Sequence, residues 1–119
     1  MPFKKILHDL VTGVPGVRGA ILADWEGEAV DHYTLDDDFE LKVIGAHKGI
    51  ILARLREIHE KLPFLEPSVV EIHSREISFL IAAVGPDYGV VVTLASRAHR
   101  AQALYRLDSA VELLRKEIY

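Results

Sequence analysis

The chain has no cysteine among its 119 residues, which excludes a disulfide framework, a thiolate nucleophile, a cysteine-type zinc site and a dithiol redox motif. A reducing compartment is the matching expectation, with the cytoplasm as the default. An excess of positive charge is missing too: 14 Lys plus Arg stand against 18 Asp plus Glu, a formal net charge of −4. With no net cationic field to release phosphate counterions, nucleic acid is not an expected partner. The longest apolar stretch, centred on Phe79 to Val84, falls far short of the roughly 20 residues that span a bilayer. The apolar residues between Met1 and Asp9 are spaced, whereas a secretory signal needs a continuous run. A soluble protein without membrane insertion is therefore expected. Linkers, low-complexity segments and repeats of solenoid length are absent as well.

What is present is the composition of a globule, half apolar and 27% charged, too hydrophobic for a disordered chain. A single domain over residues 1–119 is expected, with a radius of gyration of roughly 13.5 Å. Phe3, Ile6, Leu7, Leu10 and Val11 recur at helical spacing, and Gly13 with Pro15-Gly16 ends that helix. Val17 to Asp24 and Glu28 to Tyr33 read as a hairpin about Trp25-Glu26-Gly27. Asp36, Asp37 and Asp38 precede a long helical pattern from Phe39 to Leu62, where a carboxylate caps orphan amides and Pro63 stops the run. Ser68 to Ser74, Glu76 to Val84 and Val90 to Leu94 have strand character, with turns at Ser74-Arg75 and Gly85 to Gly89. From His99 onward, Ala103, Leu104, Leu107, Ala110, Val111, Leu114 and Ile118 hold helical spacing. The order α-β-β-α-β-β-β-α with tight hairpins predicts an α+β fold on an antiparallel sheet.

The middle helix has two apolar sides. Leu41, Ile44, Ile51, Leu52, Leu55, Ile58 and Leu62 gather on one, as packing on a sheet requires, while Val43, Ala46, Ile50 and Ala53 form a stripe on the other. Gly45 and Gly49 sit beside that second stripe, each costing about 1 kcal/mol relative to alanine. Such a cost implies close backbone approach, either to the same helix of a two-fold partner or to a bulky neighbour such as Trp25 or Tyr33. The strand from Val69 to His73 has the look of a sheet edge, alternating Val70 and Ile72 against Val69, Glu71 and His73. Glu71 and His73 either discourage edge pairing or take part in it.

Chemistry is sparsely represented. His8, His32, His47, His59, His73 and His99 show no metal-ligand spacing, and Asp36-Asp37-Asp38 lacks the alternation and glycine of a Ca²⁺ loop. Ser74, Ser78, Ser96 and Ser109 stand in no Gly-x-Ser-x-Gly elbow and near no evident base. Gly13 to Gly19 lacks Walker spacing and its lysine, and it leads into a strand. No cofactor, no metal and no catalytic residue are expected. Arg97, Arg100, Arg106, Arg115 and Lys116 are interleaved with Asp108, Glu112 and Glu117, which suits helical ion pairs on a solvated face. Trp25 is either an exposed anchor for a partner or the cover of a hairpin end.

The opening helix, Val14-Pro15-Gly16-Val17-Arg18-Gly19-Ala20-Ile21-Leu22, Asp24-Trp25-Glu26-Gly27-Glu28-Ala29-Val30, the Gly/Ala-containing helix, Val69-Val70-Glu71-Ile72 and the strand Ile77 to Val84 leading to Gly85 occur in an order that resembles the roadblock (dynein light chain) family. The resemblance extends to its bacterial members that work with Ras-like GTPases in gliding motility and polarity. It covers nearly the whole chain and implies a profilin-like five-stranded antiparallel sheet, with the second helix on one face and the first and third on the other. It further implies a homodimer that joins third strands edge to edge and packs second helices together. Val43, Ala46, Gly49, Ile50, Ala53, Val69, Glu71 and His73 would then form the interface. Family members generally regulate or scaffold small GTPases, or serve as dynein subunits, without catalytic residues. A Ras-like GTPase is accordingly the expected partner, with Lys42, His47, Arg54 and Glu57 as candidate contacts. The competing expectation is a small-molecule sensor or a general interaction module of related fold.

Overall fold

In the computed structural model the described residues are 2–24, 28–36, 57, 60–62, 69–75, 77–95 and 99–119. They form α1 (Pro2–Thr12), β1 (Val17–Asp24), β2 (Ala29–Thr34), β3 (Val69–His73), β4 (Ser78–Val84), β5 (Tyr88–Leu94) and α2 (Arg100–Ile118). Proline opens α1, at a position where its missing N–H costs nothing. The chain then turns through Gly16, whose φ of 90° is a left-handed backbone that favours glycine. Gly16 O accepts from Ala95 N at 2.8 Å, tying the entry of β1 to the exit of β5.

The strands make a five-stranded sheet in the order β2-β1-β5-β4-β3, and every neighbouring pair is antiparallel. The central position of β5 joins the β1-β2 hairpin to the β3-β4-β5 meander. The fold is therefore α+β, as expected. Residues two apart share a sheet face, so Ala20, Leu22, Leu80, Ala82, Val84, Val90, Val92 and Leu94 all project to one side. There they pack with Leu7, Leu10 and Val11 of α1 and with Ala103, Leu107, Ala110 and Leu114 of α2. The α2 residues recur at intervals of four and three, the spacing of a single buried helix stripe. On the other face Ile21, Ile81 and Val91 are at most 2% exposed, with Ala29, Val70 and Ile72 against them. Central strands buried on both faces explain why β4 and β5 read as nearly continuous apolar runs.

The radius of gyration is 13.2 Å. No described helix is long and apolar enough to cross a membrane. Of the expected middle helix, Glu57, Glu60 and Lys61 are described; they are helical and exposed. Two expectations are corrected. Leu62, assigned to the core stripe, is 42% exposed, because it lies past the helical residues, where the 100° periodicity no longer sets direction. The turn expected over Gly85 to Gly89 ends at Asp87, since Tyr88 and Gly89 are already paired in β5 with Val84 and Ala83.

Candidate interaction surface

The two edges of the sheet are β2 and β3, and an edge presents backbone groups to any chain that can pair with it. On β3 the register with β4 sets His73 opposite Ser78, Glu71 opposite Leu80 and Val69 opposite Ala82. Ser74 N donates to Ile77 O at 3.0 Å, which makes Ser74 and Ile77 a hydrogen-bonded pair. Bonded and non-bonded pairs alternate along an antiparallel ladder. The N–H groups of Val69, Glu71 and His73 therefore point away from β4, to a side where no other strand pairs among the described residues. Val70 and Ile72 pack against the second-face cluster, so Glu71 and His73 stand on the face that α2 covers.

Arg100, at the start of α2, reaches Glu71 with both prongs of its guanidinium: Nε to Oε1 at 2.5 Å and Nη2 to Oε2 at 2.6 Å. That hydrogen-bonded cation holds the Glu71 carboxyl below its ordinary value, against an opposing push from burial. Glu71 Oε1 also lies 3.4 Å from His73 Nε2. On its other side His73 Nδ1 shares a 3.0 Å hydrogen bond with Ser78 Oγ. Ser78 is 3% exposed, and this bond satisfies its hydroxyl. The sequence placed no serine near an evident base; the β3-β4 register corrects that by bringing Ser78 to His73. Ser78, His73 and Glu71 follow the order of a nucleophile, a base and an orienting acid. The hydroxyl is nevertheless buried, and the carboxylate is already neutralised by Arg100.

Of the expected interface residues, Val69, Glu71 and His73 lie together on this edge, and Val69 is 37% exposed. Val43, Ala46, Gly49, Ile50 and Ala53 lie outside the described residues, as do Gly45, Trp25 and the candidate partner contacts Lys42, His47 and Arg54. Glu57 is exposed. Sequence reading missed the roles of Arg100 and Ser78. Arg100 belonged to a helix read as carrying its own ion pairs, whereas its partner is on a distant strand. The expected helical pairing does occur between Arg115 and Glu112, at 3.7 Å. Tyr33 packs toward α1, its ring edge-on to His8 with centroids 4.7 Å apart.

No family model and no curated protein matches this sequence. Solved structures do match its fold. The chain is similar to a Roadblock/LC7 domain from Streptomyces avermitilis at 16% identity and a TM-score of 0.85, over 97% of this chain and 96% of that one. It is similar to MglB of Myxococcus xanthus at 14% identity and a TM-score of 0.84, over 99% and 95% of the two chains. MglC of Myxococcus xanthus is similar at 24% identity and a TM-score of 0.70, over 98% and 99%. The fold is the Roadblock/LC7 fold that the sequence pattern resembled.

Proposed function

We propose that this chain, built on the Roadblock/LC7 fold, is a cytoplasmic, non-catalytic homodimer that regulates or scaffolds a Ras-like small GTPase. The observation that carries the reading is the β3 edge, with outward N–H groups at Val69, Glu71 and His73 on a strand whose Glu71 and His73 side chains are already anchored within the chain. An anchored, exposed edge strand is a ready template for a second copy related by a two-fold axis. The apolar stripe of Val43, Ala46, Ile50 and Ala53 with Gly49 supports the reading from the sequence side, as the second contact of the same interface. The GTPase assignment rests on the resemblance to the roadblock family, with Lys42, His47, Arg54 and Glu57 as proposed contacts. The non-catalytic part of the reading is supported by the burial of Ser78, whose hydroxyl lies beside His73 and is 3% exposed.

Two measurements test it. Light scattering is expected to give twice the 13.3 kDa of one chain. A pull-down with the purified chain as bait, run once with GDP and once with a non-hydrolysable GTP analogue, is expected to retain a P-loop GTPase in one nucleotide state. A single-chain mass removes the dimer, and loss of every GTPase in both states removes the partner. Single-turnover hydrolysis on any retained GTPase then separates an activator from a scaffold.

A further inference from the structure

On the opposite edge of the sheet, β2, side chains occupy the outward backbone groups of one residue at the middle of the strand, His32. Leu35 N donates to Arg18 O at 2.8 Å, making Arg18 and Leu35 a hydrogen-bonded pair. By the alternation of an antiparallel ladder, Ile21 and His32, partners in the register, form a non-bonded pair. The backbone N–H and C=O of His32 therefore point away from β1, where an added strand would seek them. Both are engaged. His32 N donates to Asp31 Oδ1 at 2.8 Å, and the Lys4 ammonium, reaching over from α1, donates to the His32 carbonyl. Lys4 Nζ also lies 3.1 Å from the same Asp31 Oδ1. One ammonium thus bridges the carboxylate that covers the N–H and the carbonyl beside it. Among the described residues the outward N–H groups of β3 carry no such cover.

We infer that the Lys4-Asp31 clasp blocks β2 at its middle residue against strand addition, so that self-association is confined to β3 and stops at a closed pair. This inference rests on the reading of β3 as the pairing edge. A sheet open at both edges has no reason to stop at two copies, because each dimer would offer its remaining edge to the next. With β3 used within the dimer, the strand that an unclasped β2 meets is the β2 of a second copy, and dimers joined that way run on into a polymer. Lysine on an edge strand often discourages pairing by its charge; here a helical lysine does so by occupying the backbone acceptor itself.

The test compares the full chain with the Lys4→Ala/Asp31→Ala variant, and with that variant carrying His32→Pro in addition. Proline at position 32 removes an outward N–H and no ladder bond, so β2 retains its pairing with β1. Mass is read by light scattering from micromolar to millimolar concentration, with circular dichroism to establish folding. The parent is expected at twice 13.3 kDa throughout. The clasp variant is expected to exceed that mass increasingly with concentration, and His32→Pro to return it to the parent value. A folded clasp variant that keeps the parent mass at every concentration overturns the inference, as does growth that persists with His32→Pro. If the parent is a single chain and the clasp variant pairs to twice its mass through β2, the clasp stands and the β3 reading fails. Should the double variant not fold, Lys4→Met keeps the apolar stem, loses the ammonium and is read in the same way.

Discussion

Glu71 and Arg100 meet in a two-pronged ion pair, with Nη2 to Oε2 at 2.6 Å, across the junction of β3 and α2. The pair fastens the exposed edge strand to the helix that closes the fold, although 29 residues separate them in the chain. Arginine suits this role because its planar fork matches a carboxylate in two bonds at once. Glu71 is thereby turned toward α2 and away from the open edge, leaving backbone as the part of this residue that a second strand would meet.

The ion pair has a pH signature. Arg100, through its hydrogen bonds, holds Glu71 below the ordinary carboxylate value, and Arg18 does the same for Asp36 through bonds of 2.8 and 3.2 Å. A carboxyl with a lowered folded pKa binds fewer protons folded than unfolded within that window. The stability it lends is full above the ordinary value, about 4.3 for a glutamate, and is lost as pH falls through the lowered one. Denaturant unfolding between neutral pH and pH ~3 is expected to show that loss. Glu71→Gln should flatten the acid limb, and Asp36→Asn should flatten it less, since the Arg18-Asp36 pair is the more exposed. An unchanged acid limb in Glu71→Gln would show that the pair does not distinguish folded from unfolded chain.

Gly85 and Tyr119 make a second long-range lock. Gly85 has a φ of +63°, and a Cβ built on it would lie 2.3 Å from Tyr119 Cε2. The Tyr119 hydroxyl accepts from Asp87 N at 3.2 Å and donates to Asp87 Oδ2 at 2.9 Å. Gly85→Ala is expected to cost about 1–2 kcal/mol from left-handed backbone strain alone, plus the loss incurred when the ring is displaced. In a Tyr119→Ala background only the strain should remain, so a double-mutant cycle by urea unfolding should return a coupling well above error. Burial, and then the bond to Asp87, raise the Tyr119 pKa. The stability tied to its protonated form is therefore complete below about pH 10 and lost as pH rises through the raised value.

Much of the fold was legible in the residues, and the interface chemistry was not. The boundaries of β1 follow from the largely apolar VRGAILAD segment with Pro15-Gly16 in front of it. α2 follows from apolar spacing that no glycine or proline interrupts. Local periodicity contains no register, however. That His73 opposes Ser78, and that Arg100 reaches Glu71 rather than a helical neighbour, depends on strand pairing and helix docking. Tyr88 and Gly89 looked like turn residues because glycine is common in turns. Their ladder partners on both β1 and β4 override that preference.

The Ser78-His73-Glu71 chain should be structural. If the buried hydroxyl serves only to satisfy a hydrogen bond, Ser78→Ala costs about 0.5–1.5 kcal/mol in stability. Hydrolysis of an activated ester such as p-nitrophenyl acetate should then proceed at the same rate with either protein. A rate that falls to the buffer background in Ser78→Ala would instead assign the serine as a nucleophile and overturn the non-catalytic reading.

The β3 edge can be tested without disturbing the ladder behind it. The Glu71 N–H points outward, so Glu71→Pro removes a group available to a second strand and none that β4 uses. Glu71→Gln controls for the lost ion pair, since it keeps the N–H and removes the charge. If the edge pairs with a second copy, Glu71→Pro is expected to run at the single-chain mass of 13.3 kDa in light scattering, and Glu71→Gln at twice that value. From the sequence alone, Ile50→Asp and Gly49→Leu are expected to act like Glu71→Pro, because charge or bulk in a close helix contact opposes the same interface. A dimer that survives Glu71→Pro and dissociates in Ile50→Asp would put the contact on the middle helix and leave β3 free. Should all three variants keep the parent mass, neither surface joins the copies.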